Sequence, residues 1–252
     1  MSIPIAILSC NRPVMLRSML LSLEAHTAPG ALDIIICDNA STHEGLLDYY
    51  KTIPYEIIYN KSNDGFMGLN PALARINSRL READSEYFIV SDPDLEMNPY
   101  LPLTWQDDVV AVAKETNAAK VSFVINTDIG ACPERLRNTI DVEKRYLNNP
   151  VAVAAVHAPC YWAAVDTAFA LMRRDTYKEW EAGLQITKNM LLRGLYMPWA
   201  YNKKYKPPVR VGGDYTMNHM GWALHPGHEY EMNVYRILSD ARYSSALRCL
   251  GS

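Results

Sequence analysis

The chain has 252 residues, 49% of them hydrophobic and 21% charged, and its 25 basic and 28 acidic side chains leave a net charge of −3. These proportions exclude a disordered, collagen-like or disulfide-dense chain; the slight acidic excess argues against nucleic acid as a partner, and the length suffices for one large domain or two small ones. No run of about 18 apolar residues is present, and the start turns polar at Cys10-Asn11-Arg12, so neither a transmembrane segment nor a secretory leader is expected and the predicted location is cytoplasmic.

In chain order, Ile3 to Leu8 reads as a buried strand, and Pro13 opens a helix whose apolar positions Met15, Met19, Leu20 and Leu23 share one face. Leu32 to Cys37 is the second strand and Thr42 to Tyr50 a short helix; Tyr55 to Tyr59 is the third strand, followed by a helix from Leu69 to Leu80. Tyr87 to Val90 makes a fourth strand ending in Ser-Asp-Pro-Asp, and Val109 to Thr116 with Ala119 to Ile125 repeats helix then strand. This alternation predicts an α/β fold with a mostly parallel central sheet flanked by helices and a ligand site beyond the carboxyl ends of the strands. After residue 126 the pattern becomes turn-rich, with an alternating strand from Tyr161 to Met172, a helical stretch near Met190 and a closing helix from Glu229 to Leu247. The division expected is therefore 1–126 as a nucleotide-binding half, with 127–252 as a smaller mixed region completing the same compact domain. The five cysteines are scattered without a CxxC pair, which argues against both a disulfide framework and a zinc cluster.

Polar clusters stand where each of the first four strands ends: Ser9, Asn11 and Arg12; Asp38, Asn39 and Ser41; Asn63, Asp64 and Gly65; Asp92 and Asp94. In an open α/β sheet these loops line one crevice, although strand-end loops are polar in any protein. Asp92-Pro93-Asp94 offers two carboxylates on a stiff turn, hard oxygen ligands suited to Mg²⁺ or Mn²⁺; the same pattern also describes an ordinary acidic turn.

Taken together, strand-SxNRP, strand-xDNAS, the run Asn63-Asp64-Gly65-Phe66-Met67-Gly68 leading into Ala72 to Asn77, and strand-SDPD resemble, over residues 3–99, the nucleotide-sugar half of family 2 glycosyltransferases with the GT-A fold. The resemblance implies that Ser9, Asn11 and Arg12 border the nucleotide, that Asp38 reads the base edge, and that Asn63, Gly65 and Arg75 lie near the base or ribose. It implies further that Asp92 contacts ribose and that Asp92 and Asp94 hold a divalent metal at the diphosphate. Two positions depart from the family pattern: Asp38-Asn39 stands where relatives carry two acids, and Met67-Gly68 where they carry two glycines.

In the second half, Val165 to Arg174 resembles the strand under the donor sugar, with Asp166 facing the pocket by the period-two rule or else ion-paired with Arg173 or Arg174. Gly212-Gly213-Asp214 is similar to the turn that presents the general base in some inverting members, and equally to a surface turn. Asp166 and Asp214 are thus the candidate catalytic bases. His219 or His225 is the candidate to complete the metal shell, with His228 nearby. Lys203, Lys204, Lys206 and Arg210 form a basic stretch able to cover a diphosphate or simply to face solvent, and Trp162, Trp199, Tyr201 and Trp222 are candidates for stacking on an acceptor sugar or for core packing. The expected activity is metal-dependent transfer of a sugar from a nucleotide-diphospho-sugar, UDP-sugar favoured, to an acceptor hydroxyl in glycan synthesis, with inversion. The rivals are a sugar-1-phosphate nucleotidyltransferase, against which the glycine-free Ser9 to Pro13 turn counts, and a non-catalytic nucleotide-sugar-binding protein.

Overall fold

The protein is described here by a computed structural model covering residues 2–129, 134–165, 168–176 and 204–222. Five helices and eleven strands occur in it: β1 (Pro4–Ser9), α1 (Pro13–Ala25), β2 (Asp33–Asp38), α2 (Glu44–Tyr50), β3 (Glu56–Tyr59), α3 (Asn70–Glu82), β4 (Tyr87–Ser91), β5 (Leu95–Met97), α4 (Trp105–Thr116), β6 (Lys120–Phe123), α5 (Arg137–Tyr146), β7 (Pro150–Val151), β8 (Cys160–Trp162), β9 (Ala170–Arg173), β10 (Val209–Val211) and β11 (Met217–His219).

Nine strands form one sheet in the order β3-β2-β1-β4-β9-β6-β10-β8-β7. The block β3-β2-β1-β4 is parallel, as is the β6–β10 pair, and β8 and β9 run against the rest. The sheet is therefore mostly parallel in direction and continues unbroken through both halves of the sequence.

The period-two alternation of the strands builds three layers. On β1, Ile5 and Ile7 point to the side covered by α1, α2 and α4, where they join Leu16, Met19, Leu20, Leu46, Trp105 and Val112. Ala6 and Leu8 point to the other side, where α3 supplies Ala72, Leu73, Ile76 and Leu80. Proline at the start of α1 and of α3 costs no hydrogen bond, because the first helical amides have no partner within the helix. A small second sheet pairs β5 with β11 antiparallel, His219 opposite Leu95, and brings the chain after β10 back against the chain after β4.

The first four strands and their helices start and end within a few residues of the expected positions. The single strand expected from Tyr161 to Met172 is instead two strands, β8 and β9, separated by a crossing segment. The helical stretch near Met190 and the closing helix from Glu229 lie outside the described residues.

Candidate active site

The site is assembled where the parallel strands end. Ser9 closes β1, is 1% exposed, and its carbonyl accepts the Asn39 amide at 2.8 Å, so the β1–β2 ladder continues into the loops. Asn11 has a backbone φ of 51°, a left-handed conformation that Asn tolerates better than most residues. Its amide donates to Ser41 Oγ at 2.9 Å, and its Oδ1 accepts from the amides of Thr42 and His43 at 2.8 and 2.9 Å. The loops after β1 and β2 are thereby laced together. Arg12 follows as the residue capping α1, its carbonyl accepting from Leu16 N at 3.1 Å.

Asp38, 2% exposed, accepts Ser41 N on Oδ1 at 2.8 Å and the Tyr50 hydroxyl on Oδ2 at 2.9 Å. Burial first, then the Asp38 charge, drives the Tyr50 phenol far above its ordinary range, so it donates to that carboxylate at every working pH. The carboxylate thus ties the loop after β2 to α2. Beside it, Asn39 donates from Nδ2 to Asn63 Oδ1 at 2.7 Å and to the Gly65 carbonyl at 3.0 Å, while its Oδ1 accepts from Asn60 Nδ2 and Asp64 N, both at 3.3 Å. Gly65 adopts φ 58° to make the turn. Asn63 and Gly65 therefore stand in the expected loop, and Asn39, one of the polar residues after the second strand, is the residue that shapes it.

Asp94 is the centre of the site. The turn after β4 buries its side chain to 3% exposure, and Arg12 Nη1, on a side chain 6% exposed, donates to Asp94 Oδ2 at 3.1 Å. From the second half of the chain, β11 delivers His219, whose Nδ1 stands 3.9 Å from Asp94 Oδ2, and Met220 N donates to the Asp94 carbonyl at 2.8 Å. The His219 ring stacks on Trp222 with centroids 4.7 Å apart and planes 9° from parallel. Asp92 is half-buried one residue before the proline. At 3.9 Å, His219 and Asp94 are too far apart for a hydrogen bond, and a carboxylate with an imidazole is a donor set that Mn²⁺ accepts. Among the described residues no three His, Cys, Asp or Glu side chains converge as a complete metal shell.

Arg75 and Arg210 stand elsewhere than expected, while Lys204 faces solvent and Trp162 packs against the core, the plainer of the two readings given for each. Arg75 is exposed on α3 and its Nε pairs with Glu56 Oε1 at 3.3 Å; Arg79 joins the same cluster through Glu56 and Asp33. Those acids open β3 and β2, so the Arg75 guanidinium is drawn toward the amino edge of the sheet, away from the loops at the carboxyl ends of the strands. Arg210 is no loop residue: it lies in β10, is 4% exposed, and is taken up by Glu143 of α5 and by the Ala164 carbonyl. Lys204 pairs with Asp175 at 3.2 Å. Trp162 ends β8 opposite Val209, at the amino edge of the parallel strands. Asp214 stands exposed in a 3₁₀ turn after β10, on the same edge as Asp94, and its neighbour Tyr215 is anchored by donating to Asp108 Oδ2 at 2.6 Å. Asp166, His225, His228, Lys203, Trp199 and Tyr201 lie outside the described residues.

No family model and no curated protein matches the sequence. Solved structures do match. A mannosyltransferase from Pyrobaculum calidifontis in complex with GDP-Man and Mn²⁺ aligns over 98% of this chain and 64% of its own, at TM-score 0.54 and 14% identity. GalNAc-T7 with UDP, GalNAc and Mn²⁺ aligns over 86% of this chain and 43% of its own, at TM-score 0.52 and 14% identity. TarS of S. aureus aligns over 92% of this chain and 38% of its own, at TM-score 0.52 and 13% identity. This chain spans less than two thirds of the length of each. With its mostly parallel sheet between two helical layers, it has the GT-A-type α/β fold of these glycosyltransferases.

Proposed function

We propose that the chain is a metal-dependent glycosyltransferase that moves a sugar from a nucleotide-diphospho-sugar, a UDP-sugar by preference, to a hydroxyl of a glycan or other acceptor, with inversion. The observation that carries this reading is the meeting of Asp94 with Arg12 and His219 at one strand edge of a fold shared with enzymes of that chemistry.

In this reading Ser9, Asn11 and Arg12 border the nucleotide, Asp38 and Asn63 with Gly65 form the wall beside the base, and Asp92 reaches the ribose. Asp94, with Asp92 and His219, would hold Mn²⁺ or Mg²⁺, which would supply positive charge against a departing diphosphate. Arg12 adds a permanent charge and a planar donor fork at the same point. Trp222 fixes the His219 ring by stacking, so that its orientation is set before any ligand arrives. A carboxylate accepts the acceptor's proton as the hydroxyl oxygen attacks the anomeric carbon; we assign this to Asp166 first and Asp214 second. Attack from the face opposite the leaving diphosphate inverts the centre.

The test is a thermal-shift panel of UDP, GDP, dTDP and CDP with and without Mn²⁺. One nucleotide should stabilise the protein only in the presence of metal, by about 2.7 kcal/mol at 100 times its dissociation constant, and Asp94→Asn should abolish that shift while still folding. A shift independent of metal, or none with any of the four, overturns the reading.

A further inference from the structure

We propose that Arg12 is an internal counter-cation for Asp94, occupying that carboxylate in the metal-free site and exchanged for the divalent cation as the donor loads. The inference rests on the glycosyltransferase reading for the identity of the ligands, and on the geometry for the exchange. Both charges are buried, with side-chain exposures of 6% for Arg12 and 3% for Asp94, at an N···O distance of 3.1 Å. A carboxylate so withdrawn from water needs a partner charge, or its desolvation is uncompensated.

Neither group reached the other by chance of a loose surface chain. Arg12 is fixed from behind by the lacing of Asn11 to residues 41–43 and from ahead by the first turn of α1. Asp94 is fixed by the Met220 hydrogen bond and the β5–β11 ladder. A divalent cation and a guanidinium on one carboxylate, in a region of low dielectric, repel each other. Metal entry at Oδ2, the oxygen that also faces His219, therefore requires Arg12 to give up its hold there. An incoming diphosphate offers the guanidinium a replacement of matching shape, two oxygens for two N–H groups. The consequence is a site that binds metal weakly when empty and binds metal and nucleotide diphosphate cooperatively, each tightening the other by the same factor.

Two measurements test this on the whole chain. The first is Mn²⁺ titration by calorimetry or by loss of the free Mn²⁺ paramagnetic-resonance signal, without nucleotide and then with UDP and GDP in turn. Arg12→Gln should bind Mn²⁺ about tenfold more tightly than wild type when nucleotide is absent, and nucleotide should tighten Mn²⁺ by a smaller factor than in wild type. Arg12→Lys, which keeps a charge on a slimmer side chain, should stay within about threefold of wild type, and it stands in should Arg12→Gln not fold. The second is a metal-free melting cycle of Arg12→Gln, Asp94→Asn and the double variant: each single lowers the melting temperature, and the double lies close to the singles rather than at their sum. A wild-type protein that binds both ligands, while Arg12→Gln gains no Mn²⁺ affinity, overturns the exchange. Additive losses in the cycle overturn the counter-cation. Full coupling in a protein that binds neither Mn²⁺ nor nucleotide overturns the glycosyltransferase reading and leaves the counter-cation standing.

Discussion

A Cβ placed on Gly68 would come 2.4 Å from Asn39 Oδ1 and 2.9 Å from Asn60 Nδ2, so the loop after β3 closes on its asparagines only because that position has no side chain. Gly68→Ala should lower stability by about 1–3 kcal/mol in a urea melt, and by clearly less in an Asn39→Ala background, where the obstructing amide is gone. The same contact explains the Asp38-Asn39 pair. Asn39 donates twice and accepts twice; an ionised aspartate there can only accept and would leave the Gly65 carbonyl and Asn63 Oδ1 facing a charge. At this scale the sequence showed which positions are unusual and not what they do, because the partners of Asn39 lie 21 to 26 residues away in the chain. Asp94 and Arg12 were both nameable as site residues for the opposite reason, that each stands at a strand end; their direct contact, spanning 82 residues, was not legible.

Among the elements, those with strong alternation or helical periodicity were readable and those held by polar contacts were not. The helix α5 buries only Ile140 among its described side chains, so no apolar stripe announces it. It is kept in place instead by Glu143, which takes Arg210 of β10, with the guanidinium also lying 5.1 Å over the Tyr146 ring. The crossing segment between β8 and β9 is held in the same manner: Lys120 Nζ donates to the Val165 carbonyl at 2.9 Å, Ser122 Oγ to Ala168 at 2.8 Å, and Arg210 Nη2 to Ala164 at 2.7 Å. An alternating pattern cannot distinguish such a crossing from a strand, since its inward residue, Val165, is apolar and 3% exposed. Arg210→Ala should therefore cost about 3–5 kcal/mol in denaturant melts, because it strands Glu143 and a carbonyl in the interior. Replacing Arg210 and Glu143 together by Met and Leu should cost much less, which would separate the penalty of a lone charge from the value of the pair.

Across the whole molecule, burial in the sheet pushes the thiols of Cys37 and Cys160 from the ordinary value of 9.0 up to about 11. The native state thus retains protons that the unfolded chain releases, so this contribution is complete below about pH 9 and declines as pH rises toward 11. The buried phenols of Tyr50 and Tyr215 act in the same direction. Urea melts at pH 7, 9 and 10.5 should show falling stability over the upper interval, flattened in part by Cys37→Ala with Cys160→Ala. Peptide mapping after alkylation at pH 8 should find half-buried Cys10 modified well before either buried thiol.

The position of β9 bears on how such a chain comes off the ribosome. Among the described residues it is the sole bridge between the parallel block ending in β4 and the group beginning with β6, yet it emerges about 50 residues after β6. Until then two unpaired strand edges face each other across a gap one strand wide, each a template for any extended segment that passes. The four residues Ala170–Arg173 close that gap, and the outer edge of β6 stays open until β10 follows.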